Sequence, residues 1–123
     1  MRFVLNVRDF EESVRFWTVV LGFPRVGGWD RGPDDRGALV EISPGGVVEI
    51  VGHDRRFPGV DYGQQAIAIE FSDQQEVDAL VTRIAGSGVP SPTPVHRPWG
   101  HYSTAIRDPD GVEVVLYCDS QVG

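Results

Sequence analysis

The sequence predicts an α+β domain in which one βαβββ unit occurs twice, each with a sheet covered by a helix on a single face. Three observations predict it. Two short apolar strands each run into an Asp able to cap a helix, at Val7-Arg8-Asp9 and again at Phe71-Ser72-Asp73. Two glycine-marked helix stops answer each other, Leu21-Gly22-Phe23 and Ser87-Gly88-Val89. Two hairpin turns follow, Ser43-Pro44-Gly45-Gly46 and Asp108-Pro109-Asp110-Gly111, in which Pro fixes φ and Gly supplies the permissive position. The offset from Asp9 to Asp73 is 64 residues, and chance does not align caps, stops and hairpins together. The reading is one domain over residues 1–123, with repeats at about 1–58 and 64–119.

Each element has a local reason. Phe3 to Val7 alternates as a strand. Asp9 with Glu12 gives a capping-box pattern, and Phe10, Val14, Trp17 and Leu21 form the buried stripe of a helix reaching Val20 or Leu21. Trp17 falls on that stripe, so it is read as packing. Phe23 to Trp29 is a short strand, and Asp30 to Gly37 is a loop by its Gly, Pro and Asp content. Ala38–Ile42 and Val47–Val51 are the first hairpin, and His53 to Gln65 is a polar linker. Ala66 to Phe71 restarts the pattern, and Asp73 opens a helix to about Ala85 with Val77, Leu80, Val81 and Ile84 on one face. Val89 to Val95 carries three prolines and is confined to an edge. Pro98-Trp99-Gly100 makes a stiff corner before the strands His101–Arg107 and Val112–Tyr117.

Composition excludes several functions. Hydrophobic residues are 41% and charged residues 24%, the balance of a globular domain. The net charge is −7, and every basic residue is arginine. An acidic chain without a basic cluster is unsuited to nucleic acid. No apolar run approaches a membrane span, and the first residues do not form a basic-then-apolar leader. The lone Cys118 permits no internal disulfide and fits a reducing, cytoplasmic setting. No phosphate-binding glycine loop, G-x-S-x-G or CxxC is present.

Alternation divides the strands into two faces. Phe3, Leu5, Val7, Val48, Ile50, Ile67, Ile69, Phe71, Val112, Val114 and Leu116 are apolar and should lie under the helices. The other face carries Val4, Asn6, Glu49, Val51, Ala66, Ala68, Glu70, Glu113, Val115 and Tyr117. Its carboxylates are either solvated sheet residues or the walls of a groove. In the groove reading Ala66 and Ala68 leave room. Trp99, Tyr102 and Tyr117, with Trp29 and Tyr62 from loops, supply stacking surfaces for a cationic or planar ligand. Trp99 is equally a rigid corner packed on a neighbouring strand.

The motifs Val7-Arg8-Asp9, Phe16-Trp17 through Leu21-Gly22-Phe23, and Arg107-Asp108-Pro109-Asp110-Gly111 resemble the vicinal oxygen chelate superfamily of glyoxalase I, extradiol dioxygenases and bleomycin-resistance proteins. Arg15-Phe16-Trp17-Thr18 and Arg97-Pro98-Trp99-Gly100 are most similar to the bleomycin-resistance branch. The resemblance covers essentially the whole chain. It implies paired βαβββ modules, commonly in a homodimer, whose curved sheets enclose a ligand cleft with the helices outside. It also implies positions for divalent-metal ligands, which here are Arg2, Glu49, Ala66 and Val115. Arg cannot ligate a metal, and Ala and Val have no side-chain donor, so neither metal nor other cofactor is expected. Glu70 and Glu113 share strand faces with the missing ligands. His53, His96 and His101 show no convergent spacing and are read as surface or hydrogen-bonded residues.

The expected function is therefore metal-independent binding and sequestration of a cationic or planar antibiotic-like molecule, with Trp29, Glu49, Glu70, Trp99, Tyr102, Glu113 and Tyr117 as ligand-binding candidates and no catalytic residue. The alternatives are an enzyme of the superfamily (lyase, isomerase or dioxygenase) with an altered site, and an interaction module retaining only the fold.

Overall fold

Residues 1–52 and 66–120 are described by the computed structural model. The expected linker His53–Gln65, and with it His53 and Tyr62, lies outside the described residues. The chain order is β1 (Arg2–Val7), α1 (Phe10–Arg15) continued by a π-helical turn (Phe16–Val20), β2 (Arg25–Asp30), β3 (Arg36–Ser43) and β4 (Gly46–Gly52), followed by β5 (Ala66–Glu70), α2 (Gln74–Gly86), β6 (Val95–His96), β7 (His101–Arg107) and β8 (Glu113–Asp119). The strands form two mixed sheets of identical topology, ordered β1-β4-β3-β2 and β5-β8-β7-β6. In each, the first strand runs parallel to the last and the other pairs are antiparallel. This is the doubled βαβββ arrangement read from the sequence.

Both helix starts are built as their residues dictate. Asp9 accepts the Glu12 N–H at 3.0 Å and Asp73 accepts that of Glu76 at 2.9 Å, satisfying donors that a helix N-terminus leaves open. Glu76 Oε2 in turn accepts the Ser72 N–H at 3.3 Å. The first helix departs from the regular helix expected. Its last turn widens, with the Leu21 N–H reaching the Phe16 carbonyl at 2.9 Å. The Thr18 hydroxyl donates to the Val14 carbonyl at 2.7 Å within that stretch, the kind of side-chain bond that competes with the helical ladder. The turn still buries Phe16, Trp17 and Val20.

The hairpins fix register. Ser43 pairs with Gly46 around Pro44-Gly45. At the other end, Gly111 N–H bonds the Asp108 carbonyl and Asp108 N–H bonds the Val112 carbonyl, both at 2.9 Å, closing a loop with Gly111 at φ +85°. The Arg97–Gly100 turn repeats the design, with Gly100 at φ +93°. Such loops suit a turn followed by a left-handed residue, which glycine occupies without steric cost. The expected long loop at Asp30–Gly37 is shorter than read. β2 extends to Asp30 and β3 begins at Arg36 because Asp35 closes the connection, accepting from Trp29 Nε1 at 2.9 Å and pairing with Arg31 Nε at 2.9 Å.

One core serves both modules. Leu5, Val7, Trp17, Val48 and Ile50 belong to the same buried cluster as Ile67, Ile69, Ile84, Val114 and Leu116. The face assignment holds with one correction: Phe3 is 41% exposed. It sits at the start of β1 and lines a cleft. Phe71 is half-buried against the core.

Polar ties between described residues join the modules. Arg83 of α2 donates through Nε and Nη2 to the Val19 carbonyl at 3.3 and 3.1 Å. These two residues stand 64 apart, the repeat offset. The guanidinium lies against Gly22, where an added Cβ would sit 2.7 Å from Cζ. In the second tie, Asp110 Oδ1 accepts the Arg8 N–H at 3.2 Å and pairs with Arg8 Nε at 3.3 Å.

Asp108 holds the last turn. Its Oδ1 accepts the backbone N–H groups of Asp110 and Val112 at 2.9 and 2.8 Å, and the residue is 5% exposed. Burial raises its carboxyl above the ordinary 3.8, although these N–H bonds oppose the shift. The folded protein therefore holds this proton more tightly than the unfolded chain, and the contribution of Asp108 to stability falls as pH rises from about 4 through the raised value. Asp108→Asn keeps an oxygen acceptor and removes the buried charge. It should leave stability at pH 7 within about 1 kcal/mol and flatten this part of the pH profile. Asp108→Ala abandons both N–H groups and should cost about 1–3 kcal/mol. Urea denaturation between pH 4 and pH 7 checks both; an Asn variant as damaged as the Ala variant contradicts this account.

Candidate functional site

The faces turned away from the helices carry the candidate residues. On the first sheet, cross-strand register sets Val4, Glu49, Leu39 and Gly27 in one row, with Asn6, Val51, Gly37 and Trp29 in the next. Trp29, expected in a loop, lies in β2, and its indole crosses the β3 backbone at Gly37. A Cβ on Gly37 would run into the ring. The Nε1–Asp35 bond fixes the ring and, as the main cause, holds the exposed Asp35 carboxyl below its usual range. Trp29 is thus a braced aromatic surface rather than a loose one.

Glu49 is on this face, but its charge is already answered. Its Oε1 accepts from Arg2 Nη1 at 3.0 Å, with the two side chains 16% and 56% exposed. Arg2 and Glu49 are two of the four positions at which metal ligands are implied by the resemblance. The equivalents in the second sheet are Ala66 and Val115, and the registers agree: Val4 stands opposite Glu49 as Ala68 stands opposite Val115. The four positions therefore supply a guanidinium, a carboxylate bound to it, and two side chains without donor atoms. That set does not fit a divalent metal, which requires several anionic or neutral donors. Among the described residues, no group of three or more His, Cys, Asp or Glu is placed to hold a metal ion.

On the second sheet, Glu70 neighbours Tyr117 across the β5–β8 pairing, and Glu113 stands between Ala66 and Arg107. Arg107 itself donates to the Gly111 carbonyl at 2.8 Å. Tyr117 is stacked by His101, ring centroids 4.5 Å apart and planes at 24°. Arg97 Nε donates to Ser103 Oγ at 3.0 Å. Glu70, Ala68 and Tyr117 line a cleft of about 430 Å³ whose opposite wall is Met1, Phe3 and Ile42 from the first module. That volume lies in the range of small-molecule sites.

Two candidates are not brought to these faces. Tyr102 lies on the helix side of β7, opposite buried Cys118. Its hydroxyl donates to Asp78 of α2 at 2.6 Å, and that bond is the main reason its pKa is pushed up to about 12. Its ring packs against His96 at 4.9 Å. The expectation for Tyr102 is corrected by strand parity: it is even-numbered on a strand whose even residues Thr104 and Ile106 are buried beneath the helix. Trp99 projects from the Arg97–Gly100 turn, 68% exposed, and joins neither face group. His101, set aside as a surface residue in the sequence, belongs to the candidate site. The signal was available: the Asp108–Gly111 turn fixes the pairing that carries His101 diagonally to Tyr117.

This fold, with open sheet faces at the expected ligand positions, defines a class. Residues 2–116 match the Glyoxalase/Bleomycin resistance protein/Dioxygenase superfamily, and the chain belongs to it. Among solved structures, TnmS3, an antibiotic binding protein from Streptomyces sp. CB03234, is 28% identical over 97% of this chain and 93% of its own, with a TM-score of 0.75. Lactoylglutathione lyase from Agrobacterium tumefaciens is 22% identical over 100% and 95%, TM-score 0.74. A glyoxylase/bleomycin resistance protein/dioxygenase domain from Frankia sp. EAN1pec is 21% identical over 96% and 94%, TM-score 0.76. The last two likenesses are of fold alone. No curated protein matches the sequence. Among the described residues no helix is long and apolar enough to cross a membrane.

Gly37→Ala should displace the Trp29 indole, break its bond to Asp35 and cost about 1–3 kcal/mol, as overpacking does. Loss or movement of one indole N–H resonance, with lowered thermal stability, is the expected reading. An unchanged indole signal would show that the ring does not rest on this glycine.

Proposed function

We propose that the chain is a binding protein of its superfamily that sequesters a planar, cationic antibiotic-like molecule without metal chemistry. It does so as a cytoplasmic homodimer of single-domain chains with repeats at about 1–58 and 64–119. One observation carries the reading: the implied metal-ligand positions hold an Arg–Glu pair, Ala and Val, while the same sheet faces present Trp29 and the His101–Tyr117 stack. A site stripped of metal donors and furnished with aromatic rings suits capture of a flat molecule. The likeness to an antibiotic binding protein supports the same direction.

The cationic part of the ligand is assigned to Glu70 and Glu113, because Glu49 is neutralised by Arg2. Tyr117 and His101 provide stacking worth on the order of 0.5–1.5 kcal/mol per ring pair. Trp29 extends the aromatic surface of the other module.

Titration with bleomycin and related cationic glycopeptides, followed by tryptophan fluorescence, should give saturable binding at micromolar protein. Glu70→Gln should weaken it about threefold to tenfold at low salt and less at high salt, as a screened charge contact requires. Absence of saturation, or an affinity indifferent to both salt and Glu70, would count against sequestration of a cation. Protein purified without chelator should contain no stoichiometric Ni, Zn, Fe or Mn; one metal per chain would overturn the metal-free reading.

A further inference from the structure

We infer that Arg2, steadied by Glu49, is an oxyanion-recognition element, so that the ligand carries a carboxylate-type oxygen on its planar ring system. This deepens the proposed binding function and rests on it.

The inference begins from what the Arg2–Glu49 pair does not do. At 3.0 Å, with Arg2 56% exposed, it is a partly solvated ion pair between neighbouring strands. Pairs of this kind stabilise a fold by at most about 1 kcal/mol, so folding alone gives little reason for an arginine there. What the pair accomplishes is positional. A free arginine side chain samples many rotamers; this one is tethered through Nη1. Guanidinium carries five N–H donors in a planar fork, and the single contact with Glu49 leaves donors for a second oxygen. A fork already oriented loses less entropy when it grips an acceptor.

The surroundings suit the same ligand. Val4, 46% exposed, adjoins Glu49 in register, and Leu39 stands on its other side. Val51 and the Trp29 ring over Gly37 follow in the next row. The result is a largely apolar floor with a cation at one end and an aromatic ring at the other. A flat aromatic molecule lying on this floor would bring an acidic substituent to Arg2. Glu49, read from the sequence as a cation attractor, becomes the group that positions the guanidinium.

Isothermal titration with three matched anthracene probes tests this: the 2-carboxylate, its neutral 2-carboxamide and the 2-aminomethyl compound. The carboxylate should bind at least about tenfold tighter than the carboxamide at low salt, as a charge-assisted bond implies. Arg2→Gln should abolish that preference, bringing carboxylate and carboxamide affinities within about twofold of each other. Glu49→Gln, which loosens the tether that orients the guanidinium, should narrow the preference, and a preference that widens instead overturns the positioning role of Glu49. Because Arg2 is half-exposed, the Gln variant is expected to fold, and circular dichroism verifies that. Equal binding of carboxylate and carboxamide, or a preference surviving Arg2→Gln, overturns the role of Arg2. Binding of the aminomethyl compound without that of the carboxylate sinks this inference and leaves the binding function standing. Failure of all three probes to bind overturns both.

Discussion

Val48, Ile50, Val114 and Leu116 are completely buried beneath the helices, and that requirement forces their strand neighbours to point the other way. Each sheet has one helix to cover it, so only one face can be buried within its own unit. The helical face must then be apolar at every second residue, and the opposite face is released from packing. Glu49, Val51, Val115 and Tyr117 are half-buried rather than sealed. A ligand surface is what remains once the core has taken its share of the alternation.

Turn chemistry locks the alternation in place. Slipping a strand by one residue would send Val114 and Leu116 to solvent and Glu113 and Tyr117 into the core, so the register carries most of the fold's specificity. Pro and Gly in the loops at Pro44-Gly45 and Asp108–Gly111 hold it locally, and Asp108 accepts two backbone N–H groups in a place water reaches poorly. Burial in that place raises the pKa of the carboxyl, against the pull of the N–H bonds it accepts. Asp110 adds a longer-range task by gripping Arg8 in the other module. A turn motif that reads as local punctuation thus also ties the two modules together.

Period, caps and turns were legible in the sequence because each depends on neighbours within a few residues. Asp9, Asp73 and the hairpin glycines needed no tertiary information. Tyr102 shares the parity of buried Thr104 and Ile106, which puts it on the helix side, and aromatic character by itself does not distinguish the two faces. The widened turn at Phe16–Val20 was not legible: a π-helical turn and an ordinary helix present nearly the same apolar stripe. The Trp29 bond to Asp35 and the rest of its ring on Gly37 join residues across a hairpin whose length the sequence left open. The Arg2–Glu49 contact spans 47 residues and becomes visible only when β1 and β4 lie side by side in parallel register.

Comparison of the two units with each other separates what the fold demands from what it permits. At core positions the repeat substitutes like for like: Leu5 answers Ile69, Val48 answers Val114 and Ile50 answers Leu116, all buried. On the open faces the equivalence breaks, with Arg2 against Ala66 and Glu49 against Val115. The divergence is paired, since both partners of one ion pair are replaced by apolar residues in the other unit. Replacing only one would have left the other charge without its partner on the open face. A symmetric scaffold has in this way acquired two chemically different faces, one with a balanced guanidinium–carboxylate pair and one acidic and aromatic, without altering the residues that fold it.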